Sequence, residues 1–359
     1  MKNSIMKTSH EIMNKGIRSR LEKWFIAFMI SYTVTIIFIP KVMAQTDSSF
    51  NEAAIQEVMN GVRTTANASW WGFNGEDSTQ ALQEAILSKA KKIIVPNMGK
   101  PWVVEPIFLE SDKEIIFEKG VIVAAKPGSF LGGSEALFSA TNKSNISLNG
   151  YGAEFIMRKQ DYMQPPYEKA EWRHCISIHG SQNIKIYGLR LANSGGDGIY
   201  IGRGMGKDSL PNCDNIHIKD VICDNNYRQG ISIISASNLL IENCVLQHTS
   251  GTPPQAGIDF EPNLPDDVLI KCKVINCIIS NNFGVGMAIY VPVLNEKSKP
   301  ISIEIEGCQV LRNKQGAVSI AGKSSTDIVV PKGNVLFKNC KIDGKITQRN
   351  TQLFDVSFE

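Results

Sequence analysis

Three short phrases hold polar side chains at positions where they can act together: Gly198-Ile199-Tyr200-Ile201, Gly230-Ile231-Ser232-Ile233 and Gly257-Ile258-Asp259-Phe260. Aligned on their Gly-Ile pairs, they stack Asp197, Gln229 and Ala256 in one row. Tyr200, Ser232 and Asp259 form a second row, and Gly202, Ile234 and Glu261 a third. An earlier segment adds His174, Ser177 and His179 to the same three rows. In a strand, alternation sends the isoleucines to one side and Tyr200, Ser232, Asp259 and Glu261 to the other. Asp259 and Glu261, two residues apart, then have Cα atoms ~6.5–7 Å apart, with Asp197 roughly 10 Å away two coils below. Arg228 lies on the coil between them.

Two carboxylates at this spacing suit acid–base work on a glycosidic bond, since inverting hydrolysis uses carboxyls ~6.5–9.5 Å apart with a water between. The same cluster could instead hold Ca²⁺. With an arginine or lysine as base it would then neutralise a uronate for β-elimination. The expected catalytic set is Asp259, Glu261, Asp197 and Arg228. Each has a plainer alternative. Asp197, in Ser194-Gly195-Gly196-Asp197-Gly198, fits a turn, and Arg228 could simply neutralise the acids. The adjacent outward acids Asp259 and Glu261 repel each other and have no evident structural benefit. His174 and His179 have an ordinary edge role as their alternative.

The elements that position these residues repeat. The phrase glycines are 32 and 27 residues apart, and Asn243-Cys244, Asn276-Cys277, Gly307-Cys308 and Asn339-Cys340 recur at steps of 33, 31 and 32. Asp220-Val221, Gly188-Leu189 and Gly150-Tyr151 look like the same corner. Such a period marks stacked coils, none of which can bury its apolar face alone. The spacing predicts an all-β, single-stranded parallel β-helix of about seven to eight coils with three short strands each. The cysteines replace Val221 and Leu189 at one coil position, so they are expected to be buried and reduced. No Cys-x-x-Cys occurs, which argues against zinc.

The coil between Gly150 and Gly188 has 38 residues. Its excess, Arg158 to Arg173, carries Arg158, Tyr162, Tyr167, Trp172 and Arg173. Aromatic rings with a polar tip can stack on sugars; the plainer alternative is that the loop shields a coil edge. With Tyr200, Gln229, His174 and His179, these are the expected substrate-binding residues.

Residues 1–44 read as a signal peptide: a basic start, an uncharged run from Trp24 to Ile39, and Val42-Met43-Ala44 before Gln45. The run is short for a membrane span, which needs ~20 residues, so no stable membrane insertion is expected after cleavage. An uncleaved anchor is the alternative. This stretch has seven basic and two acidic residues, whereas the whole chain has a net charge of +3. The remainder is therefore near −2, with no basic patch for nucleic acid. Residues 45–91 are expected to hold a capping helix from about Thr79 to Ala90, started by Asp77 or Ser78, which covers the first coil. Residues 92–359 form the β-helix.

Glu76-Asp-Ser-Thr-Gln-Ala-Leu-Gln-Glu-Ala-Ile86, the Asn-Cys corners and Asn193-Ser-Gly-Gly-Asp-Gly-Ile-Tyr-Ile201 resemble the pectate-lyase-like superfamily of right-handed parallel β-helices. The similarity spans nearly the whole chain after the leader. It implies a right-handed coil with a polysaccharide or oligosaccharide partner, while the leader implies export, with the protein secreted, periplasmic or on the cell surface. Tyr227-Arg228-Gln229-Gly230-Ile231-Ser232 and Ala256-Gly257-Ile258-Asp259-Phe260-Glu261-Pro262-Asn263 are similar to phrases of uncharacterised exported bacterial members. Because the superfamily hosts several chemistries, the site must decide the reaction. Glycoside hydrolysis is the first expectation. A uronate lyase (with Ca²⁺) or epimerase is the second, and a non-catalytic glycan-binding solenoid the third. The exported protein is expected to begin at Gln45; an intact N-terminus in a membrane fraction, seen by mass spectrometry, would replace cleavage with anchoring.

Overall fold

The computed structural model describes residues 49–204, 210–323 and 332–359. The chain winds as a right-handed parallel β-helix whose three sheets have 11, 9 and 9 strands. From the second strand on, successive strands go to different sheets, and each third strand returns to pair in parallel with its counterpart one turn earlier. Inward side chains of all three sheets join one core running the length of the coil, from Val58 through Phe337 to Phe354.

There are nine to eleven rungs, not seven to eight. Thr65–Asn67 pairs with Lys92–Val95, so the stack begins before residue 92. The first turns are also short: Lys92 lies beside Glu114. A count based on a period near 32 misses both. The helix Thr79–Leu87 ends three residues before Ala90 and buries Ala81, Leu82, Ala85 and Ile86. Asp77 accepts from the Thr79 N–H at 3.0 Å, whereas the Ser78 hydroxyl donates to the Asn74 carbonyl. A further helix, Glu52–Met59, buries only Ala54 and Val58, a stripe too thin to stand out in sequence. The expected leader, residues 1–44, lies outside the described residues. Among the described residues no helix is long and apolar enough to cross a membrane.

The corner before each cysteine has a backbone reason. Asn243, Asn276 and Asn339 have φ of 55°, 54° and 51°, Gly307 63°, Asp220 53° and Gly188 68°. This left-handed region is open to glycine and tolerated by Asn and Asp. One corner is misplaced by the sequence reading. Tyr187 pairs with Asn149 before the corner, which keeps Gly188 beside Gly150, but Arg190 pairs with Glu154 after it, so this corner holds two extra residues, Leu189 lies over Ala153 and the left-handed φ, 79°, falls on Gly152.

The phrase glycines are there for a different reason, close approach. A Cβ on Gly198 would lie 2.7 Å from the Gly230 carbonyl oxygen, one on Gly230 2.4 Å from that of Gly257, and one on Gly257 2.9 Å from that of Gly286. Any side chain would wedge the rungs apart. Gly286 thus opens a fourth phrase, Gly286-Met287-Ala288-Ile289-Tyr290.

All eight cysteines are free thiols, seven of them buried and Cys340 partly so. The N–H groups of Cys244 and Cys277 each donate to the next sulfur in the ladder at 3.4 Å. Burial pushes the Cys272 thiol up to about 12. Denatured, unreduced protein is expected to titrate with all its thiols, and a shortfall of two or more would show a disulfide. Cys277→Asp, which forces an unpartnered carboxyl into this column, should lower Tm by several degrees while Cys277→Val stays near wild type.

Candidate active site

The rows inferred from sequence are the rows of one sheet. Ser177, Tyr200, Ser232, Asp259 and Ala288 follow one another in register across five rungs. His179 lies beside Gly202, and Gln229 beside Ala256. Ile258 and Phe260 point into the core, fully buried.

The outward side is not open, which corrects the sequence expectation. Asp197, Gln229 and Ser232 are 0 % exposed, Asp259 1 % and His174 5 %. The long loop closes on the coil beside His174 and Asp197. Arg173 bridges to Gly195. A Cβ on Gly195 would lie 2.6 Å from the Tyr162 ring, and one on Gly196 2.7 Å from the Glu171 carbonyl oxygen. Gly195 and Gly196, which read as turn residues, are therefore where the loop closes on the coil.

This closure divides the loop residues. Arg173 is buried, with Nε donating to the Phe130 carbonyl at 2.8 Å and Nη2 to the Glu168 carbonyl at 2.7 Å. Its guanidinium lies 5.0 Å from the buried Tyr162 ring and 5.9 Å from Tyr167. The Tyr167 hydroxyl accepts from the Gly128 N–H. Tyr162 and Arg173 are thus buried in the loop's internal packing, whereas Tyr167, packed beside them, stays partly exposed. Arg158 pairs with Asp161 in its own turn. Trp172 is half exposed and is the most open of the expected aromatics of this loop.

The carboxylates occupy unlike settings. Glu261 meets Arg228 Nη2 at 2.8 Å. Asp259 Oδ2 accepts from the neutral Gln229 amide at 2.8 Å, and Asp259 Oδ1 has no protein partner. Arg228 also donates to Gln229 Oε1 at 3.0 Å and lies 3.4 Å from Glu171 Oε1. Glu171, adjacent to Trp172, thereby ties the loop to the acid pair. Burial, then the neighbouring Glu261, pushes the Asp259 carboxyl up to about 8. Burial likewise raises Asp197 to about 7.

The lower rungs are of another kind. Asp197 Oδ2 lies 3.3 Å from His174 Nδ1, but that nitrogen accepts from the Asp197 N–H at 3.0 Å. Burial holds the imidazole at about 3, so it is neutral and the contact is not an ion pair. Tyr200 lies between the two imidazoles, 4.8 Å from His174 and 5.2 Å from His179. His179 Nδ1 faces the Arg203 carbonyl and its Nε2 faces the Ser177 hydroxyl at 2.9 Å.

The acid pair opens upward instead. A groove of about 440 Å³ is lined by Arg228, Asp259, Glu261, Gln315, Ser319 and Tyr290 among others. Tyr290, half exposed, was missed in sequence because its phrase has Ala288 where the others have Tyr200, Ser232 and Asp259. Its only signal was a fourth Gly-apolar phrase. Among the described residues no three His, Cys, Asp or Glu side chains converge as a metal site would require.

Asp259 should leave a pH signature. The folded state keeps a proton that an ordinary aspartate releases near pH ~3.9. Between about 4 and 8 the folded chain binds more protons than the unfolded one, so this group's contribution falls as pH rises. Asp259→Asn removes that loss: its Tm relative to wild type should climb from pH 4 to pH 8, and a constant difference would contradict the burial argument.

The family described as right handed beta helix region matches residues 107–263 and 167–351. The uncharacterized protein YclG of Bacillus subtilis (strain 168) is 27 % identical over 191 residues, covering 50 % of this chain and 31 % of its own length. An iota-carrageenase complexed to iota-carrageenan fragments superposes with a TM-score of 0.52 at 16 % identity, covering 72 % of this chain and 57 % of that one. The family GH82 iota-carrageenase from A. fortis, without chloride, gives 0.53 at 16 %, covering 71 % and 57 %. This chain therefore spans about a third of the curated relative and somewhat over half of each enzyme, and at such identities the enzymes share its fold. With the family match covering most of the coil, the chain belongs to the right-handed β-helix family.

Proposed function

We propose that the protein hydrolyses glycosidic bonds in a polysaccharide at the groove holding Asp259 and Glu261. The observation that carries this is the asymmetry of the pair: one acid faces a guanidinium, its neighbour a neutral amide. Asp259 enters the reaction protonated and donates to the leaving oxygen as general acid. Glu261, ion-paired with Arg228, acts as the base that activates water. Gln229 fixes the Asp259 carboxyl, and Tyr290 and Trp172 offer ring faces to sugars on the groove side and the loop side. The structural neighbours with carrageenase activity support a polysaccharide as substrate class, and the leader-like residues 1–44 support action outside the cytoplasm. If the substrate is a uronate, Arg228 could instead neutralise its carboxylate for β-elimination.

Released reducing ends from a panel of plant, algal and host glycans identify the substrate. Hydrolysis leaves products without new ultraviolet absorbance, whereas elimination leaves an unsaturated, absorbing sugar. Asp259→Asn and Glu261→Gln, checked for folding by circular dichroism, should each lose about 10²–10⁴-fold in kcat. Turnover within a few-fold of wild type in the folded variants removes the acid pair from the chemistry. Binding without any products in the wild-type protein would leave a glycan-binding solenoid.

A further inference from the structure

A larger groove, about 780 Å³, lies on the eleven-stranded sheet, away from the sheet of the acid pair. Its walls carry Lys91, Lys92, Lys113 and Lys185 against two acids, Asp112 and Glu114. The acids are already engaged: Glu114 meets Lys92 at 3.0 Å, and Asp112 accepts from the Asn145 amide at 2.8 Å. Lys113 is buried, with its ammonium on the Ser88 and Ala90 carbonyls. Lys91 and Lys185 are exposed and make no ion pair among the described residues.

The rest of the wall fits sugar hydroxyls. Asn183 donates to Asn145, and Asn215 to Asn183, at 2.9 and 2.8 Å. Each amide uses one N–H along this ladder and keeps a second for a ligand. Tyr187 at the groove's edge ends a chain of three side chains: His217 Nε2 lies 2.9 Å from Glu242 Oε1, and His217 Nδ1 2.9 Å from the Tyr187 hydroxyl. With Nε2–H donating to the Glu242 carboxylate, Nδ1 accepts from the Tyr187 hydroxyl, whose oxygen keeps its lone pairs for a ligand.

We propose that this groove is a second, non-catalytic binding site for an anionic oligosaccharide, with Lys91 and Lys185 taking its carboxylate or sulfate groups and Asn145, Asn183 and Tyr187 its hydroxyls. It holds an acidic glycan independently of the chemistry at Asp259 and Glu261.

Isothermal titration calorimetry on the full chain tests it with three probes of equal length: a galacturonate hexamer, a sulfated galactan hexamer and a neutral galactan hexamer. At least one anionic probe should bind, more weakly at higher salt, and the neutral one at least tenfold less tightly; which anionic probe binds identifies the acidic group. Lys91→Ala/Lys185→Ala should weaken that binding at least tenfold and Tyr187→Phe several-fold. Lys341→Ala/Lys345→Ala, which removes the same charge from exposed positions elsewhere, should leave it within twofold, as should Arg228→Ala. The proposal is overturned if neither anionic probe binds, if the neutral probe binds as well, if both lysine pairs weaken binding equally, or if Arg228→Ala abolishes it while Lys91→Ala/Lys185→Ala does not.

Discussion

The structure depends on rungs that stack in register. Parallel pairing holds neighbouring strands ~4.8 Å apart, and at the column Gly198, Gly230, Gly257 and Gly286 the backbones approach so closely that no side chain fits. Every other feature uses that alignment. The thiol ladder, the left-handed Asn corners and the rows of outward polar groups are each one position of the coil repeated along its axis. Because a lone coil leaves its apolar face exposed, the stability of each rung comes from its neighbours.

On this scaffold the loop 158–173 adds what regular coils cannot, a non-repeating segment that packs on Gly195 and Gly196 beside Asp197. Arg173 and Tyr162 fill its interior, and Glu171 reaches Arg228. Burying two aspartates would be costly if both stayed charged. The observed solution is to raise both carboxyls, Asp259 to about 8 and Asp197 to about 7, and to give the guanidinium of Arg228 to Glu261. A residue whose proton is held by its surroundings is the kind that catalysis can use.

The rows were legible because two periods, that of the strand and that of the coil, place Asp197, Tyr200, Ser232, Asp259 and Glu261 without further information. Their burial was not, since the two periods give the row a residue sits in and not what packs over it. Tyr162 and Arg173 read as ligand contacts because composition does not say which side chain faces inward. The corner at Gly152 was hidden behind Gly150 because a backbone dihedral is not written in residue type where two glycines lie close together. Tyr290 was missed because its phrase lacks a polar middle residue, and the first rungs because their turns are short.

The glycine column makes distance along this face a stepped quantity. Residues on different coils can be separated only by whole rungs, and an insertion at a corner lengthens a loop without altering the step. A mutation that moves a charge from one coil to the next therefore shifts it by a full strand spacing. Changes in which sugar of a chain meets the acids would then come as discrete jumps along the glycan, and a lineage could alter its loops freely while the ruler underneath stayed the same.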